Sequence, residues 1–289
     1  FLKLADSADV VLESFRPGVM DRLGCGYATL RARNPKLVYA ALTGYGQTGP
    51  YRHRPGHDMN YRGYTGELDQ TGVAGGPPGV GNFQVADLAG GALTCAVGIL
   101  AALIGAQKSG QGSLVDVSMT DGTLALQVAA LASLRALGHS AKRGQDVLSG
   151  GVPNYDTYEA KDGKYVALGA VEYKFFANFC KLAGRADLLK LPLAAGEKGQ
   201  KLRDELKALF KTRNRDEWDT LMAHEDTCVS GIYSLEESLN NPQLRARGLV
   251  QSQGGKPVMG LPIQFSHAQA TEGASPALGA DNARLLGRT

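Results

Sequence analysis

The chain has 289 residues, enough for one large domain or two ordinary ones, and 43% of them are hydrophobic, so a sizeable core can form. The formal net charge is +3, with 31 Lys and Arg scattered among 28 Asp and Glu. That bias is too weak to argue for nucleic acid or a membrane surface as partner, and it is compatible with a modest site for a polyanionic small molecule. Four cysteines, Cys25, Cys95, Cys180 and Cys228, lie far apart with no CxxC pair. This speaks against a disulfide framework or a zinc site and for reduced thiols in a cytoplasmic setting.

In chain order, Phe1-Leu-Lys-Leu-Ala5 reads as the middle of a helix without a basic-then-apolar leader, and the natural N-terminus is expected further upstream. Asp9–Glu13 predicts a short buried strand, Arg16-Pro17-Gly18 a turn, Tyr27–Asn34 a helix stopped by Pro35, and Lys36–Thr43 a second strand. Gly44–Gly91 is rich in Gly and Pro and poor in periodicity, which predicts a long functional loop. Asp87–Gln107 predicts a helix of small residues, Ser113–Ser118 a strand, and Gly122–Leu137 one long apolar helix. The most apolar run, Leu93 to Ile104, is threaded with Ala, Gly, Thr and Cys and reads as a buried helix; no transmembrane span is predicted. Near Tyr155 the composition changes. Tyr155–Ala160 and Tyr165–Ala170 flank Asp162-Gly163, a strong hairpin signal, and helices follow at Tyr173–Leu182, Gln200–Phe210 and Arg215–His224. The expectation is an α/β part followed by a smaller α+β part.

Several local patterns could carry chemistry, each with a plainer reading beside it. Gly44-Tyr-Gly46-Gln-Thr-Gly49 matches the dinucleotide fingerprint, but Pro50 and Pro55 prevent the helix that would have to open there, so these glycines shape a loop. His57, in Gly56-His57-Asp58, could be a surface histidine; its place in the long loop after a strand, beside a carboxylate, suits a proton acceptor at neutral pH. Asp87 fits an ordinary helix cap, and the free amides of that helix start could equally hold a developing oxyanion. Glu172 fits a favourable charge at a helix start. Arg16 and Arg22 flank the early turn, where together they could hold phosphates. No G-x-S-x-G elbow supports a serine hydrolase.

Taken together and in order, Glu13-Ser-Phe-Arg16-Pro-Gly, Leu42-Thr-Gly-Tyr-Gly-Gln-Thr-Gly-Pro50, Gly56-His-Asp-Met-Asn-Tyr61, Asp87-Leu-Ala-Gly-Gly, Gly151-Val-Pro-Asn-Tyr-Asp-Thr-Tyr158 and Gly169-Ala-Val-Glu172 closely resemble the family III CoA-transferases (the CaiB/BaiF family), and within them the α-methylacyl-CoA racemases. The resemblance implies a Rossmann-like large α/β domain whose opening strand and helix precede Phe1, plus a smaller α+β domain, in an interlocked homodimer. It implies residues 1–117 as the large CoA-binding domain, 118–154 as a linker helix, 155–250 as the small domain and 251–289 as a return segment. It further implies His57 and Asp87 as the acid–base pair, Glu172 of the partner chain orienting His57, and Asp58 behind them. Arg16, Arg22, Gly56, Met59, Asn60 and Tyr61 would contact coenzyme A, bound as part of the substrate. The implied reaction is racemisation of a 2-methylacyl-CoA thioester with no metal or redox cofactor. The alternatives are CoA transfer between carboxylic acids, with Asp87 as nucleophile, and a non-enzymatic CoA-binding paralogue.

Overall fold

A computed structural model describes residues 1–267 and 275–287. Residues 268–274, 288 and 289, which belong to the expected return segment 251–289, lie outside the described residues. By the density of internal contacts the chain divides into two compact units, Phe1–Ser230 and Gly231–Thr289.

The first unit opens with a short helix α1 (Leu2–Ala5), strand β1 (Val10–Glu13), helices α2 (Val19–Arg22) and α3 (Tyr27–Arg33), and strand β2 (Val38–Thr43). Next come α4 (Asp58–Thr65), α5 (Glu67–Gln70), a π-helical segment at Ala86–Leu93 that runs on as α6 (Thr94–Ser109), and β3 (Leu114–Ser118). The three strands pair in parallel in the order β1-β2-β3, with Val10 opposite Val38 and Tyr39 opposite Leu114. Residues 38–41 of β2 are all buried, as the middle strand of a parallel sheet covered by helices must be. One apolar cluster packs Val11, Met20, Leu30, Leu37, Tyr39 and neighbours; a second joins Ala40, Cys95 and Val117.

After β3 the expected long helix is broken in two, α7 (Met119–Ala125) and α8 (Val128–Leu137). The break falls at Gln127, whose backbone leaves the helical region and whose side chain is engaged elsewhere: it donates to the Thr65 carbonyl (3.0 Å) and accepts from the Gln70 amide (2.7 Å). That tie to α4 and α5 lies too far along the chain for periodicity to reveal it.

Strands β4 (Tyr155–Glu159) and β5 (Tyr165–Gly169) form the expected antiparallel hairpin. Helices α9 (Tyr173–Leu182), α10 (Glu197–Phe210) and α11 (Arg215–Met222) follow, and β6 (Val229–Gly231), which sequence reading missed, completes a sheet ordered β4-β5-β6. Its core is aromatic. Phe210 stacks between Tyr158 and Phe179, with centroids 5.0 and 5.4 Å away, and accepts the buried Trp218 indole N–H at its carbonyl (2.8 Å). A parallel α/β part and a smaller α+β part are thus both present, as expected.

The second unit carries α12 (Leu235–Ser238), α13 (Pro242–Ala246), an antiparallel hairpin of β7 (Val250–Gln253) and β8 (Lys256–Met259), and α14 (Asn282–Leu286).

Two expectations need correction. The stretch Gly44–Gly91 is not all loop, because α4 and α5 lie within it; α4 is only eight residues long and carries Gly63, so its periodic signal is faint. Ala86–Ser109 is a continuous helical run of 24 residues whose most apolar 18-residue stretch has a mean hydropathy of 2.1, long and apolar enough to cross a bilayer by length and composition alone. Its early turns pack inside the unit, with Ala86, Gly90, Gly91 and Cys95 buried; Leu93, Val97, Leu100 and Ile104 are exposed, so the run read as a buried helix is largely uncovered within the chain.

That packing depends on a glycine pair. A Cβ on Gly122 would lie 1.9 Å from the Gly90 carbonyl oxygen, and a Cβ on Gly90 would lie 2.6 Å from the Thr123 hydroxyl. Only bare backbone lets α7 approach the π-helical segment this closely. Gly122→Ala should therefore destabilise the protein by about 1–3 kcal/mol in urea denaturation, the usual cost of overpacking. Wild-type stability in that variant would show that the two helices can separate freely.

Candidate active site

Parallel α/β sheets place their sites beyond the carboxyl ends of the strands. Here β1 runs out toward Arg16, β2 into Gly44 and β3 into α7. Three bonds shape the loop after β2. The Gly46 N–H donates to Thr43 Oγ1 (2.9 Å), and the Gln47 N–H donates to the Asp116 carboxylate (3.1 Å). Thr120 Oγ1 donates to the Gly44 carbonyl (2.6 Å). The glycine fingerprint is a closed loop, and no helix opens at Gly49, as the prolines predicted.

The Tyr61 ring is wedged between Gly44 and Gly56, where any Cβ would stand 2.4 and 2.6 Å from it, and its hydroxyl donates to the Gly56 carbonyl (2.6 Å). Around it gather Tyr45, Tyr51 and Tyr64, with ring centroids 5.1–6.0 Å apart. Arg54 lies 3.7 Å over Tyr51 and donates to the Tyr64 hydroxyl (3.1 Å). Burial raises the Tyr61 phenol above its ordinary pKa, as do Tyr45 and Asp87; Arg16 opposes them. The Tyr61 phenol therefore feels the charges of both Asp87 and Arg16.

His57 is the N-cap of α4. Its N–H donates to Asn60 Oδ1 (3.0 Å), and the Asn60 N–H returns to the His57 carbonyl (2.8 Å). The two residues close a capping box, and the histidine is exposed. Asn60 thus fixes the histidine backbone, while Met59, 47% exposed, offers an apolar side chain next to it.

Asp58 is buried and joins the two halves of the site. Its Oδ1 accepts the N–H groups of Ala86 (2.7 Å) and Asp87 (3.3 Å), and its Oδ2 accepts from Arg62 Nη1 (3.3 Å). Asp87 is therefore not itself the cap; it sits in the first turn of the π-helical segment. This overturns one expectation. The leading amides of that helix are not free for an oxyanion, because Asp58 holds those of Ala86 and Asp87 and the Leu88 N–H donates to the Gln84 carbonyl (2.9 Å). Burial raises the Asp87 pKa, the neighbouring Asp58 charge raises it further, and His57 pulls it down. His57, Asp58, Tyr61 and Asp87 thus form one cluster.

Arg16 and Arg22 are exposed, and neither pairs with a carboxylate among the described residues. The turn that carries Arg16 is fixed by Glu13, whose buried carboxylate accepts the Phe15 N–H (2.7 Å). Glu172 is the N-cap of α9, exposed, and forms no hydrogen bond or ion pair with His57 within the chain. A cavity of about 1130 Å³, lined by Val73, Gln145, Ser149, Asp156, Gln200 and Arg203 among others, holds none of the predicted site residues. Arg62 and Glu67 are participants that the sequence reading missed. The acid–base spacing Asp58/Arg62 (i, i+4) was the available signal, but it means something only once the segment is known to be helical.

Beyond the carboxyl end of a parallel α/β sheet the chain thus carries a histidine and a carboxylate of raised pKa, the kinds of group that make a candidate functional site. The sequence profile of CoA-transferase family III matches residues 1–282, and the chain belongs to that family. It is 34% identical over 247 residues to the alpha-methylacyl-CoA racemase of Homo sapiens, covering 85% of this chain and 64% of the relative. The chain thus spans a little under two thirds of that relative's length. It is 35% identical over 272 residues to the acetyl-CoA:oxalate CoA-transferase of Acetobacter aceti, covering 92% of this chain and 69% of the relative. Among solved structures, a CAIB/BAIF family protein from Brucella suis superposes with a TM-score of 0.84 at 29% identity, over 99% of this chain and 76% of that one.

The raised Asp87 pKa sets a sign for stability. The folded state holds this proton more tightly than the unfolded chain does. The stabilising contribution is therefore complete below the ordinary carboxylate pKa of about 4 and is lost as pH rises through the raised value. Asp87→Asn should melt at a higher temperature than wild type at pH 7, and the gap should close as pH is lowered toward about 4. Thermal scans across that range check it; a variant less stable than wild type at pH 7 would contradict it.

Proposed function

We propose that this protein racemises 2-methylacyl-CoA thioesters by moving the proton on the α-carbon. The observation that carries the reading is the joining of a Gly-His-Asp helix cap to a carboxylate of raised pKa through one shared aspartate. The similarity to the human racemase supports it.

The chemistry needs a base on one face of the α-carbon and an acid on the other. The thioester carbonyl acidifies the α-hydrogen, but not enough for water to remove it at neutral pH. His57 serves one face and Asp87 the other, each contributing about a hundred- to ten-thousandfold as general acid–base groups do. An Asp87 whose pKa is raised holds its proton nearer to neutral pH, which suits the returning step. The proton that leaves one face is replaced on the other, so no redox partner enters the balance. Arg16 and Arg22 offer cations unpaired among the described residues for the phosphates of coenzyme A, and Gly56, Met59, Asn60 and Tyr61 are assigned to its further contacts.

Glu172 is assigned to a homodimer partner, whose Glu172 would orient His57. Exposed Leu93, Val97, Leu100 and Ile104 recur at helical spacing on one face, the kind of apolar stripe a second subunit covers. The four-part division at residues 117, 154 and 250 belongs to this same proposal.

The similarity to the Acetobacter enzyme favours a second reading, in which Asp87 attacks the thioester carbonyl and expels CoA thiolate to form a mixed anhydride. The thiolate then attacks the Asp87 carbonyl and releases the donor acid, and an acceptor carboxylate takes CoA from the resulting Asp87 thioester by the same two steps in reverse. The two readings separate in one experiment. Incubated in deuterated water with either epimer of a 2-methylacyl-CoA, the protein should incorporate deuterium at C2 and invert the centre. Absence of both exchange and inversion, with a hydroxylamine-trapped adduct on Asp87 and CoA moved to a free acid, would establish the transferase instead.

A further inference from the structure

The buried charges behind the site form a chain that neither acid–base chemistry nor CoA binding requires as such. Arg62 is 2% exposed. Its Nε and Nη2 grip both oxygens of Glu67 (2.5 and 3.3 Å), and its Nη1 reaches Asp58 Oδ2 (3.3 Å). Glu67 Oε1 in turn accepts from the Thr71 hydroxyl (2.9 Å). The other end of the chain is Asp58 Oδ1, on the amides of Ala86 and Asp87. One run of charge-assisted bonds therefore links α5, α4 and the start of the helix that bears Asp87.

The geometry points to Arg62 and Glu67 as positioning residues: the Glu67–Arg62–Asp58 chain fixes the spacing and orientation of His57 and Asp87 across the substrate. His57 is covalently next to Asp58, and Asp87 receives its backbone register from the same carboxylate. Movement of Asp58 displaces both groups together. The amides of Ala86 and Asp87 hold only Oδ1, and a buried Oδ2 without a partner would favour turning the carboxylate toward water. Arg62 supplies the opposing charge, and Glu67, with a bidentate grip, stops the guanidinium from turning away. The Arg62 guanidinium bonds Asp58 and Glu67, and it acts through Asp58.

The inference rests on the proposed site but applies equally to proton transfer and to acyl transfer. Its test therefore uses two kinds of readout on the purified protein. In Arg62→Met, kcat for the catalysed reaction should fall about a hundredfold, the order expected of a small misplacement of reacting groups, with KM within about twofold. Arg62→Lys keeps the charge but not the fork and should recover only part of kcat. Hydrogen exchange followed by mass spectrometry should show lost protection at residues 86–88 in Arg62→Met, with protection at residues 38–43 unchanged. Glu67→Gln, a milder change, should show the same pattern more weakly and decides the matter should Arg62→Met fail to fold.

Unchanged kcat and unchanged protection at residues 86–88 in folded variants would overturn the inference. A rise in KM at constant kcat would overturn it too, placing Arg62 in substrate binding. If wild type neither exchanges the α-proton nor transfers CoA, the functional reading fails, and the protection data alone then decide whether the ion chain holds the helix start.

Discussion

A single buried carboxylate holds the site together. Asp58 closes the amides at the start of the helix carrying Asp87 while its own backbone follows directly from His57. Two groups 30 residues apart in sequence thus take their positions from one side chain. An anion at a helix start is favourable in its own right, since it meets unpaired amides and the positive end of the helix dipole. The same choice has a consequence for chemistry. With those amides taken, the oxygen of an enolate or a tetrahedral intermediate must find its donors elsewhere, so the usual oxyanion role of a helix start is here given to a protein carboxylate.

Asp58 also sets the electrostatics. Its charge adds to burial in raising Asp87, and His57 works in the opposite sense. The result is a carboxyl group at Asp87 held above its ordinary range, as an acid that must keep its proton requires. The glycines serve the same end. Gly90 and Gly122 let α7 lie against the π-helical segment, and Gly44 and Gly56 leave room for the Tyr61 ring. Each removes a Cβ where a helix or ring must come close.

Much of this was legible in sequence where the signal was local. The strands at Val10–Glu13, Val38–Thr43 and Leu114–Ser118 and the hairpin around Asp162-Gly163 followed from hydrophobic runs and turn chemistry. The helix over Tyr173–Leu182 was read to the residue because its apolar face is strongly periodic and buries Phe176, Phe179 and Cys180. Tertiary effects were not legible. The break at Gln127 depends on partners near residue 65, and β6 is three residues long with no pattern of its own. The role of Asp58 could be guessed from its place beside His57. Its bond to the amide of residue 86 could not, since nothing local records a contact across 28 positions. Glu172 shows the other limit: the chain places it at a helix start away from any bond to His57, and the role assigned to it depends on a second subunit.

The central claim is that His57 and Asp87 address opposite faces of one carbon. It is tested most directly by following deuterium incorporation from heavy water into each epimer of a 2-methylacyl-CoA separately, in His57→Ala and in Asp87→Asn. Two one-face acid–base groups predict complementary results: neither variant inverts the centre, yet each still exchanges the one epimer whose α-hydrogen faces the group that remains. Loss or retention of the same epimer in both variants, or inversion surviving in either, would contradict the account.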